Sequence, residues 1–316
     1  MAKVTITDRG TLDPTEAIAF LEGCGHEVTL LDTLDPQELL RWTPDCEALL
    51  ASFIDLSAET LGALPNLRVI ATATVGFNRI DIAAARERGV DVCNMPSIAS
   101  EEVANHTLAG ILAMTRELRA GYEHVEQGGW DYSILPMQPR LSEMTLGLFS
   151  FGRIAQHVAA RATPFFEQVV AYDPYLPTDR WNSEVRRLNS VDELLEASDI
   201  LSLHALLTDE TRGVLDDAAL AKLPPGAYVC NVARGELIDE RALLEALDSG
   251  QLSGAFLDVL TSEPPEVGNA LVDHPRVLVT PHSAFRSAST IRDYLMKPAE
   301  NIDLVLNGKE PHTLVN

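Results

Sequence analysis

The sequence predicts an α/β protein built from two doubly wound parallel-sheet domains, and three observations predict it. Strand-like and helical segments alternate from Val4 to Cys93, and they alternate again from Thr145 to Thr280. The second run also opens on a strand, a tight turn, a helix and a strand closed by an acidic residue, Thr145 to Asp173. Alternation at this spacing covers both faces of a parallel sheet. A chain of 316 residues holds two such domains, each large enough for its own core.

In the first run, strands are expected at Val4–Thr7, Glu27–Leu30, Ala48–Ser52, Leu67–Ala73 and Val90–Cys93, with helices at Pro14–Glu22, Pro36–Arg41, Ala58–Ala63 and Ile80–Arg88. No glycine-rich turn follows the first strand, where Thr7-Asp8-Arg9-Gly10 stands. A helical segment, Ser100–Leu118, carries Val103, Leu108, Ile111, Leu112 and Leu118 on its apolar side and is expected to bridge the domains. Gly128–Asp131 and Pro136–Pro139 then form an irregular connection. The second run has strands at Leu146–Phe149, Val169–Tyr172, Ile200–His204, Ala227–Val232, Ala255–Val259 and Val277–Thr280, with helices such as Arg153–Arg161, Val191–Glu196 and Glu240–Asp248. The last helix, about Ala288–Leu306, is too long for a cap and is expected to return to the first domain. The boundaries are therefore residues 1–98 with 288–316, and residues 99–287.

The turn at Ser150-Phe151-Gly152-Arg153-Ile154-Ala155 is a broken G-x-G-x-x-G. Gly152 supplies the closest backbone approach to a pyrophosphate, and Ala is tolerated in the third position. Ser150 departs from the pattern, and requires that the turn avoid a left-handed backbone, which a Cβ resists. Asp173 lies 18 residues after Ala155, where a carboxylate takes ribose hydroxyls, and Pro174 and Tyr175 follow with no Arg for a 2′-phosphate. The turn reads either as a phosphate cradle selective for NAD over NADP or as an ordinary βαβ turn of small residues. The downstream residues decide between them.

Composition narrows the class. With 46% hydrophobic and 22% charged residues the chain is an ordinary globular protein. No apolar run approaches the length of a membrane span and MAKVTITD has no signal-peptide pattern, so a cytoplasmic protein is expected. The net charge of −23 argues against nucleic acid or an anionic membrane as partner. Only Lys3, Lys222, Lys297 and Lys309 are lysines, so 20 of the 24 basic residues are Arg, a bias that a salt-rich cytoplasm and a GC-rich genome explain equally. Cys24, Cys46, Cys93 and Cys230 show no metal-ligand spacing and are expected to be buried reduced thiols.

In an open parallel sheet ligands gather at the carboxyl ends of the strands. Arg234, Glu263 and His282 each follow one of the last three strands, so their loops can converge. Reduction of a 2-oxo acid by NADH needs a cation to hold the carboxylate and polarise the carbonyl, which a guanidinium does at two points. It also needs an acid near neutral pH, and a carboxylate beside an imidazole fixes its tautomer. Singly, each residue is better explained as a loop cap, a solvated turn or a Pro-His turn.

The sequence resembles the D-isomer-specific 2-hydroxyacid dehydrogenases over nearly its whole length. The resemblance rests on ATATVGFNRID (71–81), VCNMPSIASEEVANHT (92–107), LGLFSFGRIA (146–155), SLHALLTDETRG (202–213), NVARGELIDERAL (231–243), LDVLTSEPP (257–265) and TPHSAF (280–285). It implies a flavodoxin-like substrate domain and a Rossmann-type NAD-binding domain, with Arg234 binding substrate, Glu263 partnering the histidine and His282 as general acid/base. Implied cofactor contacts are Gly152, Arg153 and Ile154 at the pyrophosphate, Asp173 at the adenosine ribose and Asp258 at the nicotinamide carboxamide. His204, Ala205, Val232, Ala233 and Val103 would line the dinucleotide groove. The amides of Val75 and Gly76 would hold the substrate carboxylate.

Within the family VCNMPS, YDPYL (172–176) and HSAF (282–285) are most similar to the C-terminal-binding-protein branch. Phe285, where many relatives carry Gly, would shape an apolar side-chain pocket, or else pack in the core. Ser150, Thr74 and Leu206 depart from the family pattern. The implied activity is interconversion of a small 2-oxo acid and its D-2-hydroxy acid by an NAD-dependent homodimer whose domains close, hinging near Ile98–Ser100 and Ser283–Ser287. The alternatives are an NAD(H)-sensing corepressor-like protein, or oxidation of phosphite or formate on the same scaffold. Glu263 speaks against formate, because the family's formate enzymes carry Gln there.

Overall fold

The computed structural model describes every residue except Thr11, Gln138, Asn182 and Ser183. The chain forms two compact units, residues 1–98 with 287–316, and residues 99–286.

In the first unit β1 (Lys3–Ile6), β2 (Glu27–Leu30), β3 (Ala48–Ala51), β4 (Val69–Thr72) and β5 (Asp91–Cys93) form one parallel sheet in the order β2-β1-β3-β4-β5. Helices α1 (Thr15–Gly23), α2 (Pro36–Trp42), α3 (Ala58–Gly62) and α4 (Ile82–Glu87) alternate with the strands. Successive side chains of a strand face opposite ways, so Leu50 and Ala71 enter one core while Leu49 and Ile70 enter the other. The turn after β1 is organised by the buried carboxylate of Asp8, which accepts the amides of Ser52, Phe53 and Ile54 at 3.1, 2.9 and 3.3 Å.

The second unit opens with α5 (Ser100–Thr115) and α6 (Leu118–Glu126). The expected Ser100–Leu118 helix is therefore interrupted. Glu117 takes a left-handed φ of 53°, and the chain restarts as α6, none of whose residues is buried. The apolar spacing that suggested one helix runs through Leu118, but that side chain is exposed. The connection through Pro136–Pro139 is described except at Gln138.

The sheet that follows contains β6 (Thr145–Phe149), β7 (Gln168–Tyr172), β8 (Arg186–Arg187), β9 (Ile200–Leu203), β10 (Ala227–Asn231), β11 (Leu252–Leu257) and β12 (Val277–Val279). All seven strands are parallel, in the order β12-β11-β10-β9-β6-β7-β8. β8, only two residues long, gives no pattern from which it could be expected. Between strands lie α7 (Arg153–Ala162), α8 (Val191–Ala197), α9 (Asp217–Leu220), α10 (Glu240–Ser249) and α11 (Ala270–Asp273). Two cores cover the sheet: Leu201, Val229 and Leu257 point into one, Ile200, Cys230 and Phe256 into the other. Because β6 lies between β9 and β7, the crossovers diverge there and open a crevice at the carboxyl ends of the strands.

The last helix, α12 (Ala288–Leu306), belongs to the first unit, where Leu295, Met296, Ala299, Ile302 and Val305 share a core with Val4 and Leu50. Cys46, Cys93 and Cys230 are buried, but Cys24 is exposed, contrary to expectation, because it caps the end of α1 instead of lying on its inner face. Among the described residues no helix is long and apolar enough to cross a membrane.

Helix α5 packs on the second sheet through Gly110, where an added Cβ would lie 2.0 Å from the ring of Phe256, itself fully buried. Gly110→Ala is expected to destabilise the protein by about 1–3 kcal/mol through overpacking, read as a lower midpoint in thermal or urea unfolding.

Candidate active site

At the carboxyl end of the second sheet, β10, β11 and β12 are neighbours, so the loops that follow them are neighbours too. The His282 imidazole places Nδ1 2.6 Å from Glu263 Oε2, and the other carboxylate oxygen accepts the Leu260 amide at 3.0 Å. With Nδ1–H donated to the carboxylate, the neutral ring keeps Nε2 for a reacting partner. Both side chains are partly exposed.

Arg234 begins the next loop. Its own backbone is braced by the buried Asn231 side chain, whose Nδ2 donates to the Arg234 carbonyl at 2.8 Å and whose Oδ1 accepts the Ala233 amide at 3.0 Å. Gly235 then runs against the β11 loop so closely that a Cβ would lie 2.1 Å from the Leu260 carbonyl carbon. The Arg234 guanidinium is exposed, donates from Nη1 to the Ala233 carbonyl at 2.6 Å and forms no ion pair with a described residue. Its charge is available to an anionic ligand.

One residue holds the His282 turn. The Asp258 carbonyl accepts the His282 amide at 2.9 Å; its side-chain Oδ1 accepts the Thr280 hydroxyl at 2.5 Å and the Ser283 amide at 2.9 Å, and Oδ2 accepts the Ala284 amide at 2.9 Å. Burial pushes the Asp258 carboxyl upward, but bonds from His106, Thr280, Ser283 and Ala284 outweigh it and hold the group below its ordinary value. His282 itself has a φ of 48°, a left-handed backbone that a side chain disfavours.

The other end of the crevice begins at the β6–α7 turn. Gly152 is the N-cap of α7, no side chain caps the helix, and its first turn holds no acidic residue. An added Cβ at Gly152 would meet nothing within 4 Å, so the helix N-terminus faces open space that an anion can enter. Ser150, contrary to the sequence-based requirement, has a left-handed φ of 71°. Its hydroxyl donates to Asp173 Oδ2 at 3.0 Å, and this bond offsets the backbone strain. Asp173 is more enclosed than a ribose ligand need be: Oδ2 also accepts Phe151 N–H at 2.8 Å, while Oδ1 accepts Tyr175 and Leu176 N–H at 2.9 Å each. Burial raises the Asp173 carboxyl, and these donors overcompensate, holding it below its ordinary value. The structure also brings Arg187, on β8, to the Asp173 carbonyl at 2.9 Å and over the Trp181 ring, an arginine invisible in the local sequence.

Of the remaining predicted contacts, Ala205, Val232 and Val103 are buried and Ala233 partly buried, all in the second unit. His204 follows β9 with Nε2 2.9 Å from Ser202 Oγ; burial holds its imidazole down at about 3, and Nδ1 is buried with no partner among the described residues. An unsatisfied polar atom at the crevice and an uncapped helix end are what a polar dinucleotide would complete. Phe285 is partly buried against the core that contains Ala284 and Phe151. In the first unit Val75 and Gly76 follow β4, beside a cavity of about 180 Å³ lined by Ser52, Phe53, Thr74 and Arg79 among others. Neither of their amide N–H groups is taken by a described residue. Among the described residues no three His, Cys, Asp or Glu side chains are grouped as metal ligands.

Sequence inspection missed Asn231, Gly235, Thr280 and His106. Asn231 and Gly235 flank the arginine in the motif and could have been noticed there; nothing in the sequence ties His106 to the loops.

A family model for the D-isomer specific 2-hydroxyacid dehydrogenase NAD binding domain matches residues 108–284. The chain is 36% identical over 288 residues to the glyoxylate reductase of Thermofilum pendens, covering 89% of this chain and 84% of the reductase. It is 37% identical over 291 residues to the D-3-phosphoglycerate dehydrogenase of Mycobacterium tuberculosis, covering 92% of this chain but only 55% of that longer protein. A crystal structure of a protein from Thermus thermophilus superposes with a TM-score of 0.87 at 35% identity, covering 99% of this chain and 100% of the other.

Ser150 generates a test. Ser150→Gly and Ser150→Ala both lose the bond to Asp173, but only the alanine keeps a Cβ on the left-handed backbone. Ser150→Gly is expected to be the more stable of the two by about 1 kcal/mol in urea unfolding.

Proposed function

We infer the reaction from the premise that the chain belongs to the D-isomer specific 2-hydroxyacid dehydrogenase family: the protein is an NAD-dependent oxidoreductase that interconverts a small 2-oxo acid and its 2-hydroxy acid. The observation that carries the chemistry is the 2.6 Å contact between His282 Nδ1 and Glu263 Oε2, one strand from Arg234.

When bound, NAD(H) supplies or accepts the hydride. The protein does the rest. The guanidinium of Arg234 binds the 2-oxo acid at carboxylate and carbonyl oxygen and stabilises negative charge as it develops there. In the reducing direction His282 delivers the Nε2 proton to the nascent alkoxide; in oxidation the same nitrogen removes it. Glu263 keeps Nδ1 protonated throughout and so fixes the orientation of the ring. The amides of Arg153 and Ile154 at the N-terminus of α7 take the pyrophosphate, with Gly152 leaving room for it. Asp173 would hold the adenosine ribose at the end of β7. His204, Ala205, Val232, Ala233 and Val103 would line the groove, and Asp258, which shapes the turn that carries His282, would serve the carboxamide end. The Val75 and Gly76 amides are the first unit's anchor for a carboxylate, and Phe285 bears on side-chain preference. NADH oxidation followed with a panel of 2-oxo acids tests the assignment. His282→Gln is expected to lower kcat by roughly 10²–10⁴ while NADH still binds. Tight NADH binding by the parent without turnover of any 2-oxo acid would overturn it.

The protein acts as a homodimer in this proposal. Leu118, Tyr122 and Val125 repeat along one side of α6, and they are 58%, 67% and 49% exposed. Trp130, Tyr132 and Met137 follow at 90% or more. So many exposed large apolar side chains in twenty residues of chain mark a surface made to be covered. Sedimentation should give a dimer, and Tyr122→Glu with Trp130→Glu a monomer; a monomeric parent would refute the proposal.

A further inference from the structure

A second imidazole stands behind the His282 turn without a part in the reaction described above. His106 lies on α5, one turn before Gly110, with its ring 5.4 Å from that of Phe256. Its Nε2 is 3.0 Å from Thr280 Oγ1 and 3.4 Å from Asp258 Oδ1. The Thr280 hydroxyl has one proton, and it is donated to Asp258 Oδ1. Thr280 can therefore only accept from His106, so Nε2 carries a proton and donates it.

We propose that His106 is a positioning residue for the acid/base turn: its Nε2–H locks Thr280 and Asp258 in the arrangement that grips Ser283 and Ala284 and keeps His282 directed at Glu263. Asp258 can hold both amides only in one orientation of its carboxylate plane, since Oδ1 serves Ser283 and Oδ2 serves Ala284. The Thr280 hydroxyl fixes that plane from one side, and His106 fixes the hydroxyl. The left-handed backbone of His282 is a conformation that persists only where its surroundings over-determine it. Loss of one donor from α5 lets the turn relax, and a displacement of an ångström or less at a proton donor is felt in the rate more than in binding. The proposal rests on His282 being the acid/base residue, and its test includes a measurement that does not.

His106→Phe keeps a ring against Phe256 but has no donor, whereas His106→Gln places an amide N–H within reach of Thr280. With a 2-oxo acid that the parent reduces, His106→Phe is expected to lower kcat roughly 10- to 100-fold with KM for the acid within about twofold, and His106→Gln to recover to within about fivefold of the parent. Hydrogen exchange of the Ser283 and Ala284 amides, measured without substrate, should be faster in His106→Phe and parent-like in His106→Gln. Unchanged kcat and exchange in His106→Phe, or equal impairment of both variants, would overturn the proposal. If the parent reduces no 2-oxo acid, faster exchange in His106→Phe would still support the positioning role while the reaction assignment fell.

Discussion

The reactive end of the second unit depends on a buried carboxylate, that of Asp258. It is almost fully enclosed, and an uncompensated charge at such a depth would be costly. The compensation comes from the turn itself: Thr280, Ser283 and Ala284 all donate to it, and the Asp258 carbonyl takes the His282 amide. Satisfying the charge and shaping the turn are therefore one event. A neutral side chain of the same size would have neither the need nor the strength to hold residues 280–284 in so tight a loop, and His282 could relax from its left-handed backbone.

The same logic recurs at the cofactor end. Asp173 gathers the amides of Phe151, Tyr175 and Leu176 and the hydroxyl of Ser150, tying the β6–α7 turn to the loop after β7. Each end of the crevice thus has a carboxylate closing a strained turn, and at each the strained residue is not glycine. Where a glycine is required, at Gly235, the reason is contact with a neighbouring loop rather than backbone sign.

Much of this was legible in the sequence because it is local. The period of two along each strand and the helical spacing between strands specify a parallel sheet without reference to anything distant. Arg234, Glu263 and His282 could be found because strand ends are recognisable and because cation, acid and imidazole answer a stated chemical need. What escaped was long-range or contrary to a local rule. His106 meets Thr280 across 174 positions of sequence, and no periodicity on an apolar helix reports such a partner. Ser150 adopts a backbone that its Cβ resists because Asp173, 23 positions later, rewards its hydroxyl. Glu117 breaks a helix in mid-pattern where the apolar spacing predicts continuation, and Arg187 reaches the Asp173 carbonyl from a strand too short to be seen.

The placement of α12 bears on how the chain is made. The first unit has all five strands by Cys93, yet one of its cores contains Leu295, Met296, Ala299, Ile302 and Val305. During vectorial synthesis the domain begun earliest stays open-faced until about two hundred later residues have left the ribosome. The unit begun second has its whole sheet by Val279 and can close first. Maturation order is thus the reverse of translation order, and the waiting half must keep an apolar sheet face out of trouble in the interval.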